Sequence, residues 1–372
     1  MATGRTSRER EEARKRAQAM ARRKAKKRRR IILLMAEIVV LMGLVAVVWF
    51  VRKGTSIQKI RINEADIIMN ENVASNATLK GYRNIALFGV DARDKSLGKG
   101  NRSDTIIIAS VNEDTGDVKL LSVFRDTYLN LGNDTYNKCN AAYAKGGPEQ
   151  AINMLNMNLD LNITDYVTVG FTGLAKIVDA LGGVTIDVRE DEIVHLNNYQ
   201  ISMVGKTSDN ETYYATEGKD YTAVTSAGTQ NLNGLQATAY CRIRYVGNDF
   251  MRAERQRTVI DKCVEKAKTV GPKELVAAYD GVKDYISTSL DYDEIIELLG
   301  GVSKYNIVAG DGFPFESDRA GAKVGSKGAC VIPDNLEENV ILLQKFLFDN
   351  DEYTPSAEVV RYSSKISADT GY

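Results

Sequence analysis

The sequence has a single histidine, His195, and no recognisable nucleotide-binding motif. Hydrolytic triads use a histidine to activate a serine or cysteine, and His195 lies in a mixed polar segment, so Ser-His or Cys-His catalysis is not expected. Neither the phosphate-binding pattern GxxxxGK[ST] nor a kinase-type glycine-rich loop is present. These absences argue against the usual ATP-dependent and triad enzymes.

Cysteine is also scarce, and its spacing does not suggest a metal site. The four cysteines form no CxxC pair and no other metal-binding pattern. Outside the cytoplasm they are free to form a disulfide, with three possible pairings. The sequence leaves two alternatives open, one bridge or buried free thiols, for Cys139, Cys241, Cys263 and Cys330.

Charge is balanced over the whole chain but not along it. The net charge is zero, yet residues 1–30 contain fourteen Lys or Arg against three Glu. We interpret residues 1–30 as a basic cytoplasmic tail. Such a tail can bind nucleic acid, but beside a membrane the attraction to anionic lipids is the simpler explanation.

Residues 31–51 form a 21-residue, mostly apolar run, IILLMAEIVVLMGLVAVVWFV. About 20 such residues cross a bilayer as a helix, and the basic flank on the N-terminal side places that side in the cytoplasm. A cleaved signal peptide would have a shorter apolar core and a small-residue cleavage site. We therefore predict a retained transmembrane helix in the cell membrane, with residues 52–372 outside the cell.

The outer part is predicted to contain one α/β domain, at residues 82–349, between a stalk at 52–81 and a disordered tail at 350–372. Continuous apolar runs favour buried strands, and a strand, helix and strand over 165–188 indicate a βαβ unit. The polar segment 196–230 is predicted to be a surface insertion or lid. Further strands are predicted at 84–90, 105–111, 118–124 and 306–310, and helices at 149–159, 249–270, 273–286, 292–303 and 334–348.

Charged residues cluster where three of these strands begin or end. Asp91 ends the first strand, Asp104 begins the second, and Arg125 and Asp126 follow the third. The second and third strands form a hairpin, and the twelve-residue connection between the first two is too short for a parallel crossover. All four charges are therefore expected at one edge of the sheet.

A second cluster of cations lies at residues 241–257. In an extended segment Arg242 and Arg244 share one face. In the helix that follows, Arg252 and Gln256 continue the apolar face formed by Ala253, Ile260, Val264 and Ala267. Buried arginine without a partner is strongly disfavoured, so we predict that this end of the helix opens onto an anion-binding pocket. Ordinary solvated side chains or ion pairs are the alternative for each arginine alone.

These residue types suit a diphosphate. Arginine offers planar, bidentate donors to phosphate oxygens, while Asp91 and Asp104 provide oxygen ligands for Mg²⁺ that shares a substrate phosphate. Outside the membrane ATP is not a dependable donor. A pyrophosphate-linked lipid in the outer leaflet is the natural alternative.

Seven sequence blocks follow one another within residues 80–265: NIALFGVDARD, NRSDTIIIASVN, LLSVFRDTYLNL, NKCNAAYAKGGP, GFTGLAKIVDALGGVTIDV, LNGLQATAY and RIRYVGNDFMRAERQR. In these blocks the chain resembles the LytR-CpsA-Psr family of bacterial cell-envelope proteins. The resemblance implies an α/β/α domain around a mixed sheet and one N-terminal membrane helix. It also implies transfer of a glycopolymer, such as teichoic acid or capsule, from a polyprenyl-pyrophosphate carrier to peptidoglycan, with release of polyprenyl phosphate.

The same resemblance assigns roles to individual residues. Asp91 and Asp104 match magnesium-associated aspartates, and with Arg125 and Arg244 they are the predicted catalytic set. The predicted pyrophosphate-binding residues are Arg102, Arg125, Arg242, Arg244, Arg252, Arg255 and Gln256. Phe124 stands where a proline is usual. The family's apolar tunnel for the polyprenyl tail has candidate lining residues in Phe171, Leu174, Ile177, Val178 and Leu181, although helical spacing alone would place these in the core.

Two questions stay open at this point. The proton of the attacking sugar hydroxyl is assigned to a carboxylate, either Asp91 or Asp126. A non-catalytic membrane-anchored module that binds anionic lipid-linked polymers is the alternative function. The carboxylate pair favours an enzyme, because a pure anion binder gains little from Asp91 and Asp104. No nucleic-acid partner is expected.

Overall fold

The computed structural model describes residue 62 and residues 64–73, 75–92, 95–207 and 212–372. The chain divides into two compact units, residues 1–56 and 57–372, and the described residues all belong to the second. The predicted basic tail, transmembrane helix and first part of the stalk lie outside the described residues. Within them, no helix combines the length and hydropathy needed to cross a bilayer.

A mixed six-stranded sheet forms the centre of the second unit. Its strands are β1 (Tyr82–Val90), β2 (Ser103–Asn112), β3 (Asp117–Val123), β6 (Asp165–Gly170), β11 (Ile286–Thr288) and β12 (Asn306–Phe313). Their order in the sheet is β11-β6-β1-β2-β3-β12. The β1-β2, β2-β3 and β6-β11 pairs are antiparallel, and the β1-β6 and β3-β12 pairs are parallel. The prediction of a mixed sheet is confirmed.

Both faces of this sheet are covered, which explains the continuous apolar runs in its central strands. In β2, Ile106 and Ile108 belong to one hydrophobic cluster, whereas Ile107 faces the opposite one. Helices pack on both faces. In chain order they are α1 (Asn140–Leu159), α2 (Phe171–Ala180), α3 (Glu190–Val204), α4 (Gly234–Tyr240), α5 (Asp249–Lys268), α6 (Pro272–Val282), α7 (Tyr292–Gly300), α8 (Leu336–Phe348) and α9 (Ala357–Thr370).

Four short ribbons complete the described part of the unit. They pair antiparallel as β4 (Tyr128–Asn130) with β5 (Tyr136–Lys138), β7 (Val184–Val188) with β10 (Gly228–Leu232), β8 (Lys206–Thr207) with β9 (Thr212–Tyr213), and β13 (Arg319–Lys323) with β14 (Ala329–Pro333). The predicted βαβ unit is therefore wrong. The strand after α2 pairs with β10 instead of joining the main sheet, because a second run of extended residues, 228–232, is available to it.

Two predicted boundaries are also wrong. The later part of the stalk packs on the domain: Val73 and Leu79 are 2% and 1% exposed, and Asn70 donates a hydrogen bond to Asp160 at 2.6 Å. The tail at 350–372 contains the helix α9, which buries Val359 and Ile366. Isolated apolar anchors in the stalk and an amphipathic spacing in a polar tail are weak sequence signals, and tertiary contacts stabilise both segments.

The predicted insertion at 196–230 is partly regular. Its beginning continues α3, whose buried Leu196 packs in the cluster of β7 and α4.

All four cysteines are free thiols, and burial raises the pKa of Cys241 and Cys263 to about 12. Of the two alternatives, the structure contains the free thiols.

Candidate functional site

A β-bulge places Asp104 at the edge of the sheet. Gly89 lies opposite Thr105 and Val90 lies opposite Ser103, so Asp104 is an extra residue between two paired positions. A bulge leaves its extra residue unpaired and redirects the side chain. Since β1 ends where β2 begins, Asp91 follows at the same edge, and the predicted convergence of strand ends is confirmed.

Three arginines surround the carboxylate of Asp104. Arg125 Nη1 donates to Asp104 Oδ1 at 2.7 Å. The other oxygen, Oδ2, lies 3.6 Å from Arg252 Nη2 and 3.8 Å from Arg244 Nη2. Arg244 also lies 3.6 Å from Asp249. With Lys138, four cations in this group face the three carboxylates of Asp104, Asp126 and Asp249. One positive charge is therefore in excess, so the site is suited to a further anion.

Arg252 is the most deeply buried member of this group. It is 5% exposed, and its Nε has no hydrogen-bond partner in the described part of the chain. Burial, together with the neighbouring charges of Arg244 and Arg125, lowers its pKa to about 10 despite the opposing effect of Asp104. The guanidinium is still protonated at neutral pH. An orphaned, buried donor requires an explanation, and an anion bound between these arginines would supply one.

Arg125 has closer carboxylate partners than Arg252, with Asp104 at 2.7 Å and Asp126 at 3.5 Å. Its buried Nε also has no hydrogen-bond partner within the described residues. Burial opposes its charge, but the carboxylates of Asp104 and Asp126 outweigh that effect and raise its pKa. Asp126 also forms an ion pair with Lys138 at 3.1 Å. Arg125 is therefore held at the edge of the sheet by two carboxylates, one on either side.

The other predicted site residues take different positions. Arg242 lies over the rings of Phe171 and Tyr199, with its guanidinium carbon 4.3 and 5.3 Å from the ring centroids. Gln256 donates to the carbonyl of Cys241 at 3.3 Å. Arg102 and Asp91 are exposed, and neither lines the pocket around Asp104.

Arg255 lies apart from the cluster. Its Nε forms an ion pair with Glu192 at 2.7 Å, and its Nη atoms donate to the carbonyls of Ile243 and Val246. Both charged side chains are almost fully buried, at 4% and 3% exposure. In this structure Arg255 holds the backbone that carries Arg244, and its donors point away from Asp104.

A large apolar cavity lies next to the charged cluster. Its volume is about 460 Å³, and it lies between the sheet and the helices α2, α5 and α6. The face of α5 that sequence periodicity assigned to the core lines this cavity with Val259, Ile260, Cys263, Val264 and Ala267. A helix face that borders an empty cavity cannot be distinguished by sequence spacing from a face that packs in the core, since both require apolar residues at the same positions.

A small pocket at the charged cluster is lined by Asp104, Arg125, Asp126, Asp249 and Arg252, and we call it the charged pocket. The cavity and the charged pocket share a wall. Thr105, Arg252 and Gln256 line both of them. Of the tunnel candidates, Phe171, Leu174, Ile177 and Leu181 line the cavity. Val178 does not, because it is fully buried in the cluster around β7. The arrangement can hold a molecule with a long apolar part and an anionic head.

Sequence reasoning missed an aromatic wall that begins at Phe124, the residue before Arg125. The rings of Phe124 and Phe250 meet edge to face at 4.5 Å, and the guanidinium of Arg319 stacks 3.6 Å from the centroid of Phe250. Gly312 makes room, since a Cβ there would lie 2.2 Å from Phe124 Cζ. Phe124, where the family resemblance predicts a proline, is thus part of this wall. No sequence signal connects Arg319 with it.

Comparison with known proteins places this geometry in a family context. The chain is 31% identical over 221 residues to an Enterococcus faecalis protein named polyisoprenyl-teichoic acid–peptidoglycan teichoic acid transferase TagU, over 58% of this chain and 63% of the relative. It is 28% identical over 236 residues to Bacillus subtilis TagT, a transferase of the same name, over 62% of this chain and 63% of the relative. The matches thus span less than two thirds of either relative.

A solved structure supports the fold. TagT with bound octaprenyl pyrophosphate superposes with a TM-score of 0.53 at 21% identity, over 73% of this chain and 92% of that one. At this identity the likeness concerns the fold alone. The sequence profile of the LytR_cpsA_psr family matches residues 47–314, which is more than half of the chain. The protein belongs to the LytR_cpsA_psr family.

Proposed function

We propose that this protein is a membrane-anchored phosphotransferase. It would move a glycopolymer, such as teichoic acid, capsule or another wall glycan, from a polyprenyl-pyrophosphate carrier to peptidoglycan and release polyprenyl phosphate. The observation that carries the proposal is the shared wall of the charged pocket and the apolar cavity at Thr105, Arg252 and Gln256. A polyprenyl pyrophosphate has the matching shape, with a diphosphate next to a long hydrocarbon chain.

The names of the relatives support the same chemistry. The Enterococcus and Bacillus proteins are named as transferases of teichoic acid from a polyisoprenyl carrier to peptidoglycan, and the TagT structure contains octaprenyl pyrophosphate. For this chain we infer that the diphosphate lies among Arg125, Arg244 and Arg252, where it neutralises the excess positive charge. The prenyl chain would occupy the cavity between α2, α5 and α6.

In the proposed reaction a sugar hydroxyl of peptidoglycan attacks the phosphorus nearest the glycan. A new P–O bond forms to that hydroxyl oxygen, and the bond to the oxygen that bridges the two phosphates breaks. Polyprenyl phosphate leaves with the electron pair, and the hydroxyl proton passes to a carboxylate, Asp91 or Asp126. Arginines aimed at the phosphate oxygens stabilise the charge that develops in the transition state.

Magnesium is a further proposal, with Asp91 and Asp104 as its ligands. Among the described residues no group of three or more His, Cys, Asp or Glu side chains could hold a metal by itself. Mg²⁺ commonly binds through one or two carboxylates plus waters and substrate phosphates, so two aspartates at one edge fit it. Oδ2 of Asp104 is the less tightly held oxygen, because Oδ1 accepts the 2.7 Å hydrogen bond. The ion would add positive charge at the reacting phosphate.

We also propose the membrane topology predicted from residues 1–51: the N-terminus in the cytoplasm and the domain outside. Protease added to intact cells should then digest the domain beyond residue 52. Digestion only after lysis would contradict this orientation and would remove the outer-leaflet donor.

The decisive experiment supplies the full-length chain with a lipid-linked glycan and peptidoglycan and measures release of polyprenyl phosphate. Release that depends on both substrates is expected. If the chain binds the lipid tightly but releases nothing under any metal condition, it is a binding module for anionic lipid-linked polymers.

A further inference from the structure

An exposed aromatic residue follows Arg244, one of the three arginines around Asp104. This residue, Tyr245, is 79% exposed. Its ring stacks on the imidazole of His195, with centroids 5.6 Å apart and planes inclined by 29°. Tyrosine combines a large apolar ring with a polar hydroxyl group, and it is enriched at binding surfaces. We call this pair, Tyr245 and His195, the aromatic platform.

The aromatic platform is fixed relative to the phosphate-binding residues. Arg255 donates to the carbonyls of Ile243 and Val246, which flank Arg244 and Tyr245, at 3.2 and 2.8 Å. Its ion-pair partner Glu192 lies on α3, three residues before His195, and residues three apart share a helix face. One buried ion pair therefore holds both halves of the platform and the backbone of Arg244.

The position of the platform suits a sugar. On the proposed function, the prenyl chain enters the cavity lined by Arg252 and Gln256, and the glycan must leave the diphosphate in another direction. Tyr245 follows Arg244 in the chain, and Nη2 of Arg244 lies 3.8 Å from Asp104. Tyr245 does not line the cavity. Pyranose rings carry a face of C–H groups that packs on aromatic rings, while their hydroxyl groups remain hydrated.

We propose that Tyr245 and His195 form a sugar subsite that stacks on a pyranose ring next to the diphosphate. The inference rests on the proposed function, from which it takes the position of the diphosphate. Two sugars have this chemistry: the first sugar of the donor glycan and the peptidoglycan sugar that attacks. The experiment distinguishes them by supplying each separately.

The test uses the full-length chain in detergent and three variants. Tyr245→Ala removes the ring, and Tyr245→Phe keeps it. Tyr372→Ala removes another partly exposed tyrosine, at the end of α9, which packs against α1 and α8. The probes are octaprenyl pyrophosphate, the same lipid carrying a disaccharide, and soluble peptidoglycan oligosaccharides used as acceptors in the transfer reaction.

For a donor sugar, Tyr245→Ala should bind the disaccharide-bearing lipid about three- to tenfold more weakly, the range expected for one aromatic stacking contact. For an acceptor sugar, it should instead raise KM for the oligosaccharides by a similar factor, with little change in kcat. In both cases octaprenyl pyrophosphate should bind as it does to the parent. Tyr245→Phe and Tyr372→Ala should match the parent.

Two results would overturn the subsite. One is a Tyr245→Ala variant that equals the parent in both sugar experiments. The other is an equal loss of affinity for octaprenyl pyrophosphate with and without the disaccharide, because the ring would then serve the diphosphate, the fold or the lipid surface. Failure of the parent itself to bind octaprenyl pyrophosphate would instead reject the proposed function, so the two failures can be told apart.

Discussion

Arg252 and Arg255 lie one turn apart on α5 and are almost equally buried, at 5% and 3% exposure, yet their surroundings are opposite. Arg255 is satisfied by Glu192 and two backbone carbonyls. Arg252 has a carboxylate no closer than 3.6 Å, two neighbouring arginines and an orphaned Nε. A buried arginine thus indicates a ligand site only after its donors have been counted. We call Arg255 and Glu192 the framework, because all their charged groups are paired within the protein. We call Arg252, with Arg125, Arg244 and Asp104, the receptor, because it has a donor left for a ligand.

The largest expected effect is a loss of stability on breaking the framework ion pair. Arg255→Met leaves Glu192 as a buried, unpaired charge and frees two carbonyls, and such a change typically destabilises a protein by about 3–5 kcal/mol. Urea unfolding of the variant should show this loss. The double variant Glu192→Leu/Arg255→Met removes both charges and should be more stable than Arg255→Met alone. If Arg255→Met unfolds like the parent while losing lipid affinity, Arg255 belongs to the receptor instead.

The next effect concerns the carboxylate that the receptor arginines share. Asp104→Asn should lower the transfer rate by about a hundredfold, the scale seen when one group that stabilises a transition state is removed. Affinity for octaprenyl pyrophosphate should persist or increase, since removal of a negative charge leaves Arg125, Arg244 and Arg252 free for the ligand.

Polyprenyl phosphate release with and without Mg²⁺ checks this prediction. EDTA should reduce the parent to the level of Asp104→Asn and change the variant little. Asp114→Asn, at the exposed turn of the same hairpin, is the matched control and should behave like the parent. Full, metal-independent turnover in Asp104→Asn would remove the metal role.

Replacement of Arg252 should have the opposite effects to replacement of Arg255, with little change in stability and a clear loss of lipid affinity. Arg252→Met should change the free energy of unfolding by less than about 1 kcal/mol, because the lost attraction to Asp104 is offset by relief from burial and from the repulsion of Arg244. Affinity for octaprenyl pyrophosphate should fall about tenfold or more, as expected for a charged hydrogen-bond donor.

Arg252→Lys serves as the matched variant. It keeps the charge but loses the planar fork, so it should retain part of the affinity. A calorimetric titration of both variants, beside their urea unfolding curves, tests the contrast. A large loss of stability in Arg252→Met with unchanged affinity would move Arg252 into the framework.

The smallest effect is expected from the cavity lining near the C-terminal end of α5. Ala267 lines it in the last turns of α5, and Ala267→Phe should fill space that the end of a prenyl chain would occupy. Each methylene left unburied weakens binding by about 0.8 kcal/mol, so displacement of one such group should weaken binding of octaprenyl pyrophosphate by about fourfold. A prenyl pyrophosphate too short to reach Ala267 should bind as before. Equal loss for both chain lengths would argue against the cavity as the prenyl site.

Much of the fold followed from local patterns. The apolar runs at 84–90, 105–111 and 118–124 predicted three strands of the sheet, and the short connection after Asp91 predicted that its edge would collect Asp104 and Arg125. These predictions held because pairing distance and chain length leave few alternatives. The helix α9, the partner of β7 and the packed residues of the stalk were not predicted, since tertiary contacts select them among weak local preferences.

By itself, the sequence determined which residues of α5 share a face and that Arg252 and Gln256 interrupt an apolar stripe. Only the tertiary structure decided what that stripe meets. The other elements leave a cavity opposite Val259 and Ala267 instead of a packed core, a bulge directs Asp104 toward Arg252, and Glu192, far away in the chain, reaches Arg255. The physical reason is that periodicity fixes direction within one helix, whereas the occupant of the space it faces depends on every other element.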